Sequence, residues 1–169
     1  MSRIDVGDDA PSFALDSSSG ARLSLAHAIK QGPVVVVFFK ILCPVCQFTL
    51  PFIERLFQMY GGARVSVVGI SQDDAESTRE FCDEYGLTFP ALLDPEDYPA
   101  SNDYGITNVP TYYLISPDGK IEVASVGLNK KALEQISEWL ASFLQQPALP
   151  IFGPDEIVPD SKTGCGSKN

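Results

Sequence analysis

Val34-Val35-Val36-Val37-Phe38-Phe39-Lys40-Ile41-Leu42-Cys43-Pro44-Val45-Cys46 runs from an unbroken apolar stretch into a C-x-x-C pair. The apolar stretch predicts a strand over Val34 to Phe39, covered on both faces at the centre of a sheet. The residues that follow, Gln47 to Tyr60, carry Phe48, Phe52, Ile53, Leu56 and Phe57 at helical spacing, and Gly61-Gly62 ends the run. The cysteines therefore sit where a strand gives way to a helix. A helix N-terminus offers free N–H groups and the positive end of the macrodipole. Both favour a thiolate, the form of cysteine that attacks and binds. Pro44 suits the first helical turn, where its missing N–H costs nothing, whereas Pro51 removes a hydrogen bond inside the helix and predicts a kink.

Outward from this junction the chain reads as alternating strands and helices. Short strands at Ser12–Leu15 and Arg22–Leu25 flank the turn Ser17 to Gly20, and Ser24 caps a short helix that Gly32-Pro33 stops. Arg64–Ile70 and Phe89–Leu93 read as strands, with a helix between them opened by Asp73 or Asp74 and closed at Gly86. A short helix near Tyr98 to Tyr104 precedes a hairpin, Thr111–Ile115 and Lys120–Val126, around Ser116-Pro117-Asp118-Gly119. The last helix, Asn129 to Leu144, collects Leu133, Ile136, Trp139, Leu140 and Phe143 on one face. The fold class is α/β: a sandwich with a central mixed β-sheet flanked by helices and an N-terminal β-hairpin extension. Residues 1–145 form one domain. Residues 146–169, with four prolines and a Gly164-Cys165-Gly166 end, form a tail expected to dock in part and to be mobile at its end.

Composition removes several classes of function. A chain of 169 residues with 44% hydrophobic content is a folded globular protein. Its net charge of −10 argues against nucleic acid or an anionic membrane as partner. The start, Met1 to Asp9, is polar and acidic with no apolar core of a leader, so the expected location is the cytoplasm, or the periplasm if a leader has been removed. Four cysteines at uneven spacing do not make a disulfide scaffold, and in a reducing compartment a C-x-x-C is catalytic or metal-binding. Zinc requires four ligands, and the remaining candidates His27, Cys82 and Cys165 are each isolated. No metal and no organic cofactor is expected. Cys82, on a helix with Phe81 and Tyr85, reads as a buried inert thiol.

The strand ending in C-x-x-C, Pro51 in the following helix and Val109-Pro110-Thr111 opening a hairpin resemble the thioredoxin superfamily. With Val6-Gly7-Asp8-Asp9-Ala10-Pro11-Ser12-Phe13, Gly69-Ile70-Ser71-Gln72 and Tyr85 to Pro90, the likeness is to TlpA-type and AhpC/TSA-like redoxins, over Val6 to about Gln145. The resemblance implies a thiol–disulfide oxidoreductase in which Cys43 attacks, Cys46 resolves and Pro110 is a cis-proline facing the pair. The backbone of Val109 would then pair with an extended substrate segment. Substrates would be protein or small-molecule disulfides, with a thiol reductant.

The pair Pro44-Val45 resembles the Cys-Pro-x-Cys order of glutaredoxins. Val37 stands where thioredoxins bury an aspartate, which leaves Asp73 as a candidate base for the second thiol, or else as a helix N-cap. Lys40 is a candidate for lowering the thiol pKa. Two rival readings draw on the same residues. A peroxiredoxin-like antioxidant peroxidase, with Cys46 or Cys43 peroxidatic, needs a P-x-x-x-T-x-x-C pattern and a later arginine, whereas Phe39, Cys43 and the Val109-Pro110 segment occupy those places. A non-enzymatic C-x-x-C metal-binding module is the other. Cys165 is a possible accessory thiol able to fold back on the site; no Cys165 bridge is expected in the resting state, and an exposed tail thiol without a role is the favoured reading.

Overall fold

The computed structural model describes residues 3–169; Met1 and Ser2, part of the polar start read above, lie outside the described residues. The chain begins with the expected hairpin, β1 (Ala14–Asp16) and β2 (Arg22–Ser24). Then come α1 (Leu25–Gln31), β3 (Val34–Phe39), α2 (Pro44–Tyr60), β4 (Ser66–Ser71) and α3 (Ala75–Tyr85). The second half holds β5 (Ala91–Leu93), α4 (Pro99–Asp103), β6 (Asn108–Val109), β7 (Thr111–Ile115) and β8 (Ile121–Val126). It ends with β9 (Leu128–Asn129), α5 (Lys130–Phe143), β10 (Ser161–Lys162) and β11 (Cys165–Gly166). Among the described residues no helix is long and apolar enough to cross a membrane.

Five strands form the central sheet in the order β5-β4-β3-β7-β8. The β3–β4 and β4–β5 pairs are parallel, and β3–β7 and β7–β8 antiparallel, so the sheet is mixed as expected. All six residues of β3 are buried, which is why the strand can be apolar at every position rather than at alternate ones. Its central place brings the residues just beyond Phe39, including Cys43, to the end of the sheet, next to the start of β7.

Local signals placed most helix ends. Ser24 accepts from the His27 N–H at 3.1 Å and Asn129 from the Ala132 N–H at 2.9 Å, each capping the helix that follows. Of the two aspartates offered for the α3 start, Asp74 is the cap, accepting from the Ser77 N–H at 2.8 Å. Asp73 is thereby released for another contact.

Helix α2 presents Leu50, Ile53 and Leu56 to the core, all fully buried, and carries Pro51 in its interior. On this basis Leu50→Ala is expected to cost roughly 2–5 kcal/mol, because a close-packed site leaves a cavity when a leucine is truncated. Urea unfolding of the two proteins at unchanged m-value checks it. One buried acid on the same helix, Glu54, is held by the Thr88 N–H at 2.8 Å and the Thr88 hydroxyl at 2.6 Å, tying α2 to the loop before β5. These partners compensate the desolvation of its carboxyl group.

The tail departs from expectation. In its first part Ile151 and Val158 are buried, and Arg55 of α2 binds the Glu156 carboxylate through its two terminal guanidinium nitrogens at 2.6 Å. Its end, expected to be mobile, instead adds two short strand pairings to the body. In one, β10 pairs antiparallel with β9; in the other, β11 pairs antiparallel with β6. Backbone pairing with strands left open by the main sheet supplies the hydrogen bonds that a free polar end would otherwise make with water.

Candidate active site: a thiol pair at the start of α2

Cys43 is the N-cap of α2, in extended conformation, with Pro44 in the first turn. Its Sγ accepts from the Cys46 N–H at 3.3 Å, so sulfur stands where a serine or aspartate oxygen would cap an ordinary helix. The loop before it is pinned from two sides. The Ile41 N–H donates to Asp73 Oδ2 at 2.8 Å, and the Gln47 side-chain amide donates to the Ile41 carbonyl at 2.9 Å. The Gln47 contact carries no sequence signal, because a polar side chain turned back onto the preceding loop leaves no periodic pattern.

The two thiols are shifted in opposite directions. A hydrogen bond from the Cys46 thiol lowers the Cys43 pKa to about 5, against the opposing effect of burial and with further help from Cys165. Burial pushes the Cys46 thiol far up, and the adjacent Cys43 adds to it. The pair thus resolves into one thiolate and one thiol. The cause differs in emphasis from the helix-dipole argument: the largest contribution to Cys43 is its partner cysteine.

The Val109–Pro110 peptide is cis. The Val109 carbonyl lies 3.5 Å from Cys43 Sγ. Pro44 is exposed and Val45 half-buried beside the cysteines, while Leu42 is 83% exposed, an apolar side chain bared at the rim of the site.

Three expectations about supporting residues are corrected. Lys40 is not among the groups that set the Cys43 thiolate; its ammonium donates to the Gly166 carbonyl at 2.5 Å. Asp73 neither caps α3 nor bonds to Cys46. Its carboxylate takes the Ile41 N–H and pairs with the Lys168 ammonium at 2.5 Å. Cys165 is not an exposed tail thiol: it is half-buried, with its Sγ 2.7 Å from Cys43 Sγ. All four cysteines are free, including these two. Cys82 is buried, and burial pushes its thiol up to about 11, the inert character read from its helix position. Among the described residues no cluster of three or more His, Cys, Asp or Glu is placed to hold a metal ion.

Cys43 thus caps a helix with its sulfur beside the carbonyl that precedes a cis-proline. The model of the AhpC/TSA family matches residues 6–124. The chain belongs to the AhpC/TSA family. Among curated members of this redoxin group, thioredoxin-like protein YneN of Bacillus subtilis is 35% identical over 137 residues, covering 78% of each chain. The thiol-disulfide oxidoreductase ResA of Halalkalibacterium halodurans is 30% identical over 135 residues, covering 79% of this chain and 76% of its own. The fold is shared with a solved thiol:disulfide interchange protein of the thioredoxin family from Chlorobium tepidum. That structure superposes with a TM-score of 0.67 at 24% identity, over 79% of this chain and 96% of the other. The AhpC/TSA chain therefore has a thioredoxin-like fold, with the C-x-x-C at the position the geometry assigns to a redox pair.

Proposed function

We propose that this protein is a thiol–disulfide oxidoreductase whose redox centre is the Cys43/Cys46 pair. The observation that carries the reading is the split between the two thiols: Cys43 ionises well below neutral pH at a helix start, and Cys46, one turn deeper, stays protonated. In the cycle, the Cys43 thiolate attacks a substrate disulfide, forming a mixed disulfide and releasing one substrate thiol. Cys46 then gives up its proton, attacks Cys43 and releases the second substrate thiol, leaving a Cys43–Cys46 disulfide for a thiol reductant to reopen. Val109, with Pro110, would hold an extended substrate backbone, and exposed Leu42 would meet its apolar side chains. The likeness to ResA and YneN supports this chemistry.

A peroxidase reading has less support. A peroxidatic cysteine needs a thiolate with a nearby arginine to hold the peroxide. Cys46 is fully buried and held as a thiol. Four of the five arginines are engaged elsewhere: Arg22 with Asp16, Arg55 with Glu156, Arg64 over the Phe143 ring and Arg79 with the Ser18 carbonyl. The expected result is catalysed reduction of a model protein disulfide by dithiothreitol, with peroxide consumed no faster than by an equal concentration of a simple thiol. Rapid peroxide turnover without disulfide reduction would replace this reading with the antioxidant one.

A further inference from the structure

The residues that pair with Val109 belong to the chain itself. Cys165 lies opposite Val109 and Gly166 opposite Asn108 in an antiparallel register. This is the arrangement proposed above for an extended substrate, and it sets the Cys165 sulfur 2.7 Å from that of Cys43. Cys43 is fully buried beneath it.

The contact is built over several residues. Lys40 donates to the Gly166 carbonyl, Ser167 N–H to the Thr107 carbonyl at 3.0 Å, and Lys168 N–H to the Gln72 side-chain oxygen at 2.9 Å. The Lys168 ammonium pairs with Asp73, the acid that also holds the site loop. Close approach explains the glycine before the cysteine: a Cβ on Gly164 would stand 2.6 Å from the Val109 carbonyl oxygen. Gly127, at φ +75, passes the tail backbone more closely still, against the Lys162 carbonyl oxygen. Both charges released from their expected roles in the thiol pair, Lys40 and Asp73, are thus spent on holding this segment.

We propose that Cys165 is a third redox thiol, carried by a C-terminal segment that occupies the substrate position and exchanges with the Cys43–Cys46 disulfide. The step rests on the oxidoreductase reading and is balanced within the chain. Deprotonated Cys165 attacks Cys43; the Cys165–Cys43 bond forms and the Cys43–Cys46 bond breaks. The electron pair leaves on Cys46, which takes up the proton that Cys165 lost. The number of disulfides is unchanged, and the bond moves from the buried pair to the tail. Cys46 reverses the step by the same attack it makes on any mixed disulfide, with Cys165 as the leaving thiol. The segment is an intramolecular substrate, and an external one binds when it undocks.

Trypsin separates the partners, since Cys43 and Cys46 share the peptide Ile41–Arg55 and Cys165 lies in Thr163–Lys168. The experiment treats the full chain with oxidised glutathione, blocks free thiols and maps disulfides by mass spectrometry. Wild type is expected to yield the Ile41–Arg55/Thr163–Lys168 cross-link alongside the internal Cys43–Cys46 bond. In Cys46→Ser, the Cys43–glutathione adduct is expected to be displaced by Cys165, releasing glutathione and leaving the cross-link as the main species. In Cys46→Ser/Cys165→Ser the adduct persists. Gly164→Val is expected to lower cross-link yield by about tenfold, since its side chain would be forced against the Val109 carbonyl oxygen. Absence of the cross-link from both wild type and Cys46→Ser, or a persistent adduct in Cys46→Ser, overturns the proposal. Wild-type disulfide reduction measured on the same preparation separates the two readings. Activity without the cross-link removes only the tail thiol; the cross-link without activity supports the exchange and removes the oxidoreductase reading.

Discussion

Cys43→Ser is expected to lower the catalysed reduction of a model protein disulfide by more than about 10³-fold, or ~4 kcal/mol in the barrier, as when a covalent nucleophile is removed. A serine hydroxyl at the same helix start has no accessible anion, and Cys165, the other thiol at the site, lacks the helix N-cap position that Cys43 holds. Cys46 is buried and its thiol is pushed far up. Cys82 lies outside the site with a pKa near 11. The partner variant behaves differently. Cys46→Ser/Cys165→Ser keeps the attack and lacks both thiols able to resolve it, so a substrate mixed disulfide at Cys43 accumulates. Non-reducing gels and intact mass on the two variants check the pair of outcomes. Full disulfide reduction by Cys43→Ser, with peroxide consumption lost in Cys46→Ser, would transfer the nucleophile to Cys46 and restore the peroxidase reading.

The second large effect is in pH. Ultraviolet absorbance of the reduced protein should show one thiolate appearing at about pH 5, assigned to Cys43 by its loss in Cys43→Ser. Since the hydrogen bond from the Cys46 thiol is the largest cause of the depression, Cys46→Ala should move this midpoint upward, toward the ordinary thiol value of 9.0. Stability follows with a definite sign. Between about pH 5 and about pH 9 the unfolded chain holds a proton on Cys43 that the folded chain has released. Folding stability of the reduced protein therefore rises with pH through this window. The contribution is fully present above the unfolded thiol pKa and is lost as pH falls through the folded one. The oxidised protein and Cys43→Ser lack this titration, so their urea-unfolding midpoints should depend less on pH in the same window. An equal pH dependence in reduced wild type and Cys43→Ser would show that Cys43 is not the depressed thiol.

Much of this site was legible from local sequence because its parts are local. The run Val34 to Phe39 is buried at every residue, so apolarity without alternation correctly marks a central strand. Cys43 and Cys46 are held one turn apart by a helix whose start is signalled by Pro44. Asn129, Ser24 and the turn before Lys120 act on neighbours within a few residues, so each could be read from its own surroundings. The ambiguity at Asp73-Asp74 shows the limit. Either residue could cap α3, and the choice fell to Asp74 because Asp73 is needed across the site by Ile41 and Lys168.

By itself, then, the sequence determined the strand–thiol–helix junction and the α/β sandwich around it, through periodicity, caps and turn chemistry that act over one to a few turns of chain. Only the tertiary structure decided what surrounds the sulfur. How far the Cys46 thiol is pushed up depends on burial contributed by elements far apart in the chain. The position of Cys165 depends on a two-residue pairing with Asn108 and Val109, too short to carry a period. Lys40 and Asp73 were visible as charges beside a reactive cysteine, but their partners, Gly166 and Lys168, lie at the far end of the chain. A charged side chain is placed by whichever partner the fold brings within reach, and here the fold brought the tail.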